Sequence, residues 1–179
     1  MSAALRTERL VLMPFVENDA EALFKIRGDA EAMTHWDWPS DVDFAATRIV
    51  ARGMAQEMRG GTATYWTARD AAGGFVGVFD LSALLATSAE IGFMVARERW
   101  GHGLALEGAR ALIVEARRRG IAGLTARIHA DNIRSALLLA RLGFEESESQ
   151  RAAEIRPGIL RACRFYLRRL EESDDADTP

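Results

Sequence analysis

The chain of 179 residues has a single cysteine, Cys163, so no internal disulfide framework can exist. Its three histidines, His35, His102 and His129, are scattered along the sequence. With one cysteine they form no Cys/His zinc spacing, and no metal is expected. No apolar run approaches the roughly 20 residues that cross a bilayer, so no membrane partner is expected. Met1 to Leu12 alternates polar and apolar residues and lacks the hydrophobic centre of a secretion signal. There is no excess of basic residues either. The net charge of −3 speaks against a nucleic-acid partner, which calls for a basic surface. These absences together predict a reducing, cytoplasmic setting.

What is present is a generous apolar fraction. Hydrophobic residues make up 49% of the chain, enough for one sizeable core. The length predicts one domain over residues 1–170. Residues 171–179 are rich in acid and poor in apolar residues, which predicts a disordered tail. The patterning predicts a first strand over Arg9–Met13, stopped by Pro14. A helix capped by Asn18 or Asp19 follows and ends near Gly28. After the loop His35-Trp36-Asp37-Trp38-Pro39, Asp41 or Asp43 opens a second helix that ends at Gly60-Gly61. Strands are predicted over Thr64–Arg69, Phe75–Leu81 and Glu90–Ala96, the first two joined by a turn at Ala72-Gly73-Gly74. A helix from Leu104 to Arg119 places Leu104, Gly108, Leu112 and Ala116 on one side. Then come a strand over Leu124–Ile128, a short helix from Asn132 to Leu142, and a closing strand pair. The order β-α-α-β-β-β-α-β-α-β-β is a mixed α/β domain.

Trp100-Gly101-His102-Gly103-Leu104-Ala105 lies between the Ile91–Ala96 strand and the long helix. Glycines at such a junction allow a tight turn that exposes successive N–H groups. The helix behind them adds its positive end. Phosphate or pyrophosphate is held this way with few charged side chains. A dinucleotide-binding enzyme is one reading of Gly101-His102-Gly103. Against it, Leu106 takes the place of the third glycine, the loop comes after several strands, and no acid ends Leu124–Ile128 to hold a ribose.

A second segment sharpens the reading. His129-Ala130-Asp131-Asn132-Ile133-Arg134-Ser135 leads through a helix to Leu142-Gly143-Phe144-Glu145. Together with Trp100 to Glu107, and with the opening Leu5-Arg6-Thr7-Glu8-Arg9-Leu10-Val11-Leu12, this resembles the GNAT superfamily of acetyl-CoA-dependent N-acetyltransferases. The likeness is to the branch that acetylates ribosomal-protein N-termini (RimJ/RimL-like), and it spans about Leu5 to Leu167. It implies a single α/β (α+β) domain whose mixed, mostly antiparallel sheet is splayed at the cofactor slot and flanked by helices.

The resemblance implies acetyl-CoA as co-substrate. Its pyrophosphate would lie on the N–H groups from Gly101 to Ala105, with Trp100, His102, Gly103 and Leu104 in that loop. Phe93, Met94 and Val95 would pair with the pantetheine arm as an extra strand, and Asn132 would hold its other side. The slot would open between that strand and Leu124–Ile128. An amine acceptor is implied, and a homodimer is compatible with the branch. This chain departs from the pattern in places. Leu139 stands where many members have a tyrosine that protonates the leaving thiolate, which makes Ser135 the nearest polar substitute. Met13 replaces a frequent arginine and Ala162 a frequent aspartate.

Acetyl transfer needs an amine without its extra proton, hydrogen-bond donors for the carbonyl oxygen, a proton for the thiolate, and held reactants. Glu90 is the candidate base, acting through a water. N–H groups near Val95 would polarise the carbonyl, and Ser135 would supply or relay the proton. Trp36 and Trp38 are candidates for the acceptor pocket. Plainer readings stand beside these. Glu90 could be a solvated strand-end carboxylate, Asn132 and Ser135 an ordinary first helical turn, and the tryptophans a packed lid. Glu107 reads as helix-end electrostatics and Cys163 as a small buried hydrophobe. A non-catalytic acyl-CoA-binding module of the same fold is the rival to an enzyme.

Overall fold

A computed structural model describes residues 3–170; the acidic tail expected at 171–179 lies outside the described residues. Eight strands form one sheet in the order β1-β2-β3-β4-β5-β6-β8-β7. They are β1 Leu5–Arg6, β2 Leu10–Pro14, β3 Thr64–Asp70, β4 Phe75–Ser82, β5 Ser88–Val95, β6 Gly123–His129, β7 Glu145–Arg156 and β8 Ile159–Arg169. The helices are α1 Ala20–Arg27, α2 Phe44–Gly60, α3 Leu104–Arg118 and α4 Ile133–Arg141. All neighbouring strands pair antiparallel except β5 and β6.

The sequence expectations need small corrections. The predicted first strand is the second, because Leu5–Arg6 already pairs with Val11–Leu12. Pro14 belongs to β2 rather than stopping it. It lies beyond the stretch that β1 covers, where a missing N–H breaks no ladder bond on that side. Asp43 alone caps α2, its Oδ1 accepting from Ala46 N at 2.9 Å. Asp41 instead takes the Arg27 guanidinium through two bonds of 2.7 and 2.8 Å. Asp19 heads α1, but its carboxylate turns away to Val16 N and Thr67 Oγ1.

Apolar residues cover both faces of the sheet. On one face α3 packs Leu112 and Ile113 into a cluster with Trp66, Phe79, Ile91 and Leu124 of the sheet. On the other, α1 and α2 pack Leu23, Ile26 and Ala51 on Phe15 and Val78. Each buried Leu, Ile, Val or Phe side chain among these stabilises the fold by about 1.5–3 kcal/mol. The approach of α3 is set at Gly108, where a Cβ would come within 2.4 Å of the Phe79 ring. At the far end of α3, Glu115 binds both Arg118 and Arg119, and Arg119 also reaches Thr64 Oγ1. The basic end of that helix is therefore tied into the structure.

Candidate active site

The site begins where one pair of strands parts. β5 and β6 pair only at Ser88–Gly123, Ala89–Leu124 and Glu90–Thr125. Beyond Glu90, residues Ile91 to Val95 have no strand on that side, although their pairing with β4 continues to Val95. An unpaired strand edge offers a row of backbone donors and acceptors to an extended ligand. Two cavities flank the opening. The larger, about 640 Å³, runs from Phe93–Val95 past Trp100, Gly101, Gly103 and Leu104 to Asn132 and Arg134. The smaller, about 390 Å³, is reached by Trp36, Trp38, Tyr65, Asp80, Glu90 and Arg127. His35, Trp36, Phe93, Met94, Asn132 and Ser135 line both, so the two spaces meet at the parted strands.

The larger cavity ends on the N-terminus of α3. Gly101 and Gly103 have φ of 80° and 76°, a left-handed backbone that favours glycine. Gly103 is the residue that begins the helix, and the free N–H groups of the first turn follow it. A helix N-terminus of this kind is suited to a phosphate group. The glycine loop is fastened from two sides. Trp100 Nε1 donates to Val95 O at 2.8 Å, and the Arg134 guanidinium lies 4.2 Å from the centre of the Trp100 ring. Glu107 accepts from Thr7 Oγ1 at 2.5 Å, from Arg9 N at 2.8 Å and from Arg9 Nε at 2.6 Å, while Arg9 Nη1 donates to His102 O at 3.0 Å. Burial pushes the Glu107 carboxyl up, but the bonds from Thr7 and Arg9 more than reverse this and hold it below its usual range.

The smaller cavity carries charged groups of both signs: Asp37, Asp80 and Glu90 with Arg27 and Arg127. Asp80 on β4 pairs across to Gly92, and Ser82 to Glu90, so the two carboxylates are diagonal neighbours on one face. A Cβ at Gly92 would fall 2.3 Å from Asp80 Oδ1; the glycine makes room for that carboxylate. Burial raises Asp80 to about 7, and the charges of Glu90 and Glu57 add to it against a hydrogen bond from Ser82. Burial also raises Glu90, with Asp37 adding to the shift and Arg127 opposing it. Tyr65, which donates to Glu57 Oε2, is raised chiefly by burial. Opposite them, Asp37 takes Arg127 Nη2 at 2.5 Å and stands 3.1 Å from His129 Nε2.

Residues 9–145 match the family model described as the acetyltransferase (GNAT) domain. The chain belongs to the GNAT acetyltransferase family. No curated protein matches its sequence. Similar solved structures include RimL, a ribosomal L7/L12 α-N-protein acetyltransferase in complex with coenzyme A. It is 22% identical, with 94% of this chain and 98% of that one covered and a TM-score of 0.82. RimJ of Mycobacterium smegmatis, in complex with CoA-disulfide, is 23% identical over 97% and 88% of the two chains, with a TM-score of 0.80. Spermidine N-acetyltransferase of Vibrio cholerae, in complex with CoA and spermine, is 16% identical over 91% and 96%, with a TM-score of 0.78.

Within this GNAT fold, Phe93, Met94, Val95, Trp100, Gly101, Gly103, Leu104, Ala105 and Asn132 all line the larger cavity. The His102 side chain does not; it is exposed, and its carbonyl serves Arg9. Glu90, Ser135, Trp36 and Trp38 line the smaller cavity. The Asn132 side chain caps α4 by accepting from Ser135 N at 3.1 Å, so the capping reading holds for both residues. Leu139 is fully buried and lines the smaller cavity. Sequence reasoning missed Asp80, Asp37, Arg127 and His129. An acid inside the apolar run Phe75–Leu81 was the one available signal, since burial of a carboxylate is costly. Glu107 is more than helix-end charge, because it clips the β1–β2 turn to the glycine loop.

Proposed function

We propose that this GNAT protein moves the acetyl group of acetyl-CoA directly to a primary amine, with no acyl-enzyme formed. The observation that carries the reading is the parting of β5 from β6 beyond Glu90, with one cavity on a phosphate cradle and another lined by carboxylates. The co-substrate supplies an acetyl group activated as a thioester. The glycine loop and the first turn of α3 hold its phosphates, and the free edge of β5 aligns its arm. N–H groups at that edge near Val95 polarise the carbonyl.

The amine enters from the side of α1 and α2. Trp36, Trp38 and Tyr65 give it an aromatic wall, and Asp80 and Glu90 favour its cationic form on entry. A cavity of about 390 Å³ admits a small amine or the first residue of a peptide. Relatives named for ribosomal-protein N-termini and for spermidine represent these two acceptor types. Glu90 takes the amine proton through a water, and its raised pKa brings it nearer neutral pH, where a base works best. Ser135 relays a proton to the leaving sulfur, in place of the tyrosine that Leu139 replaces.

The test is release of free coenzyme A thiol. Protein and acetyl-CoA are incubated alone, with a peptide bearing a free N-terminus, and with spermidine. Thiol release that requires one of the amines, with matching acetylated product, is expected. Thiol release at one rate regardless of amine, or none with any amine, would overturn the reading.

A further inference from the structure

Where the two cavities meet, three side chains converge with the composition of a metal site: His129 lines the smaller cavity, Asp131 the larger and His35 both. His35, His129 and Asp131 each offer one ligand atom, and these atoms all lie within 4.8 Å of one another. The two imidazole rings stand edge to face, with centres 6.5 Å apart. His129 is the informative member. Its side chain is 2% exposed, and its Nδ1 is buried without a protein hydrogen-bond partner. Its other ring nitrogen, Nε2, stands 3.1 Å from Asp37 Oδ1. Asp37 is in turn held by Arg127. A proton on Nε2 satisfies Asp37 and leaves the Nδ1 lone pair free; a proton on Nδ1 would find no acceptor.

This carboxylate–histidine arrangement is how metal-binding imidazoles are oriented and made better donors. The His35 Nδ1 is also buried and without a hydrogen-bond partner, yet it lies 3.3 Å from Asp131 Oδ1. A cation between the rings and that carboxylate would satisfy both nitrogens. Two imidazoles and one carboxylate are the donor set of zinc and its neighbours, not of calcium or magnesium. The ligand atoms need to draw in by about 1 Å to meet the 2.0–2.2 Å bonds of zinc. Half-exposed His35, on the loop between α1 and α2, and exposed Asp131, on the loop before α4, can supply that movement.

We propose that His35, His129 and Asp131 bind one divalent transition-metal ion of the zinc class. The inference rests on side-chain geometry alone, so it stands or falls separately from acetyl transfer. The test titrates Zn²⁺ into the full-length protein against a chelating chromophore. It compares wild type with His35→Ala, Asp131→Ala and His129→Asn. His102→Ala and Cys163→Ser serve as controls for the other histidine and the thiol. Near-native circular dichroism and thermal transitions qualify each variant, and His35→Ala keeps the test open if the buried His129 variant does not fold.

Binding of one Zn²⁺ per chain is expected, weakened at least tenfold by His35→Ala and Asp131→Ala and unchanged by His102→Ala. Substituting Co²⁺ should give a visible spectrum that His35→Ala abolishes. No stoichiometric binding by wild type, binding unchanged in folded His35→Ala, or binding lost with His102 or Cys163 would each overturn the proposal.

Discussion

At the scale of single residues, the account turns on two carboxylates whose surroundings disfavour charge. Glu90 must be ionised to accept a proton, so activity should fall as the pH drops through its raised pKa. Glu90→Gln should lower kcat/KM for the amine by about 100-fold near neutral pH. The loss should narrow as the pH approaches the amine's own pKa, where free amine needs no base. A pH–rate profile of the variant that parallels wild type would remove Glu90 from the mechanism.

Asp80 yields a stability prediction with the opposite sign from an ordinary salt-bridged aspartate. Its folded pKa of about 7 lies above the unfolded value near 3.8. Between these values the native state binds the extra proton, so stability decreases as the pH rises through that window. Asp80→Asn should therefore stabilise the protein by about 1–3 kcal/mol at pH 8, with the gain gone by pH 4. Thermal melts at the two pH values check this, and equal shifts at both would contradict it.

Elements, more than residues, decide whether the cofactor side forms. Besides its own Trp100, the glycine loop is held by Glu107, which reaches from the first turn of α3 to Thr7 and Arg9. Glu107→Ala should destabilise the fold by about 1–3 kcal/mol and leave Arg9 with only the His102 carbonyl as acceptor. It should also raise KM for acetyl-CoA severalfold while kcat changes little. Unchanged KM in a destabilised variant would show that the clip serves stability alone.

The elements were also where the sequence was most readable. Gly101, Gly103 and Asn132 carry local backbone requirements, a left-handed turn and a helix cap, that can be seen in a short window. The Leu104–Arg119 pattern marked α3 to within a residue. The register of Asp80 against Gly92, the meeting of Asp37 with Arg127, and the clip of Glu107 were not readable. Each depends on residues 10 or more positions apart that only strand order brings together.

At the scale of the whole molecule, the sheet serves as a partition with one gap. α3 covers one face, α1 and α2 cover the other, and the parting of β5 from β6 is where two cavities with different chemistry touch. Under the proposed reading, a phosphate-bearing donor and an amine acceptor would meet where Phe93, Met94, Asn132 and Ser135 line both cavities. Among the described residues no helix is long and apolar enough to cross a membrane. The central claim is that the glycine loop and α3 hold acetyl-CoA.

Calorimetric titration with acetyl-CoA tests it most directly, with NAD and Gly103→Glu run alongside. In the variant a carboxylate would occupy the cradle, at a position whose φ of 76° also disfavours any side chain. The account predicts saturable, micromolar binding of one acetyl-CoA per chain, no binding of NAD, and loss of acetyl-CoA binding in folded Gly103→Glu. Absence of acetyl-CoA binding by the folded wild type, or equal affinity in the variant, would contradict it.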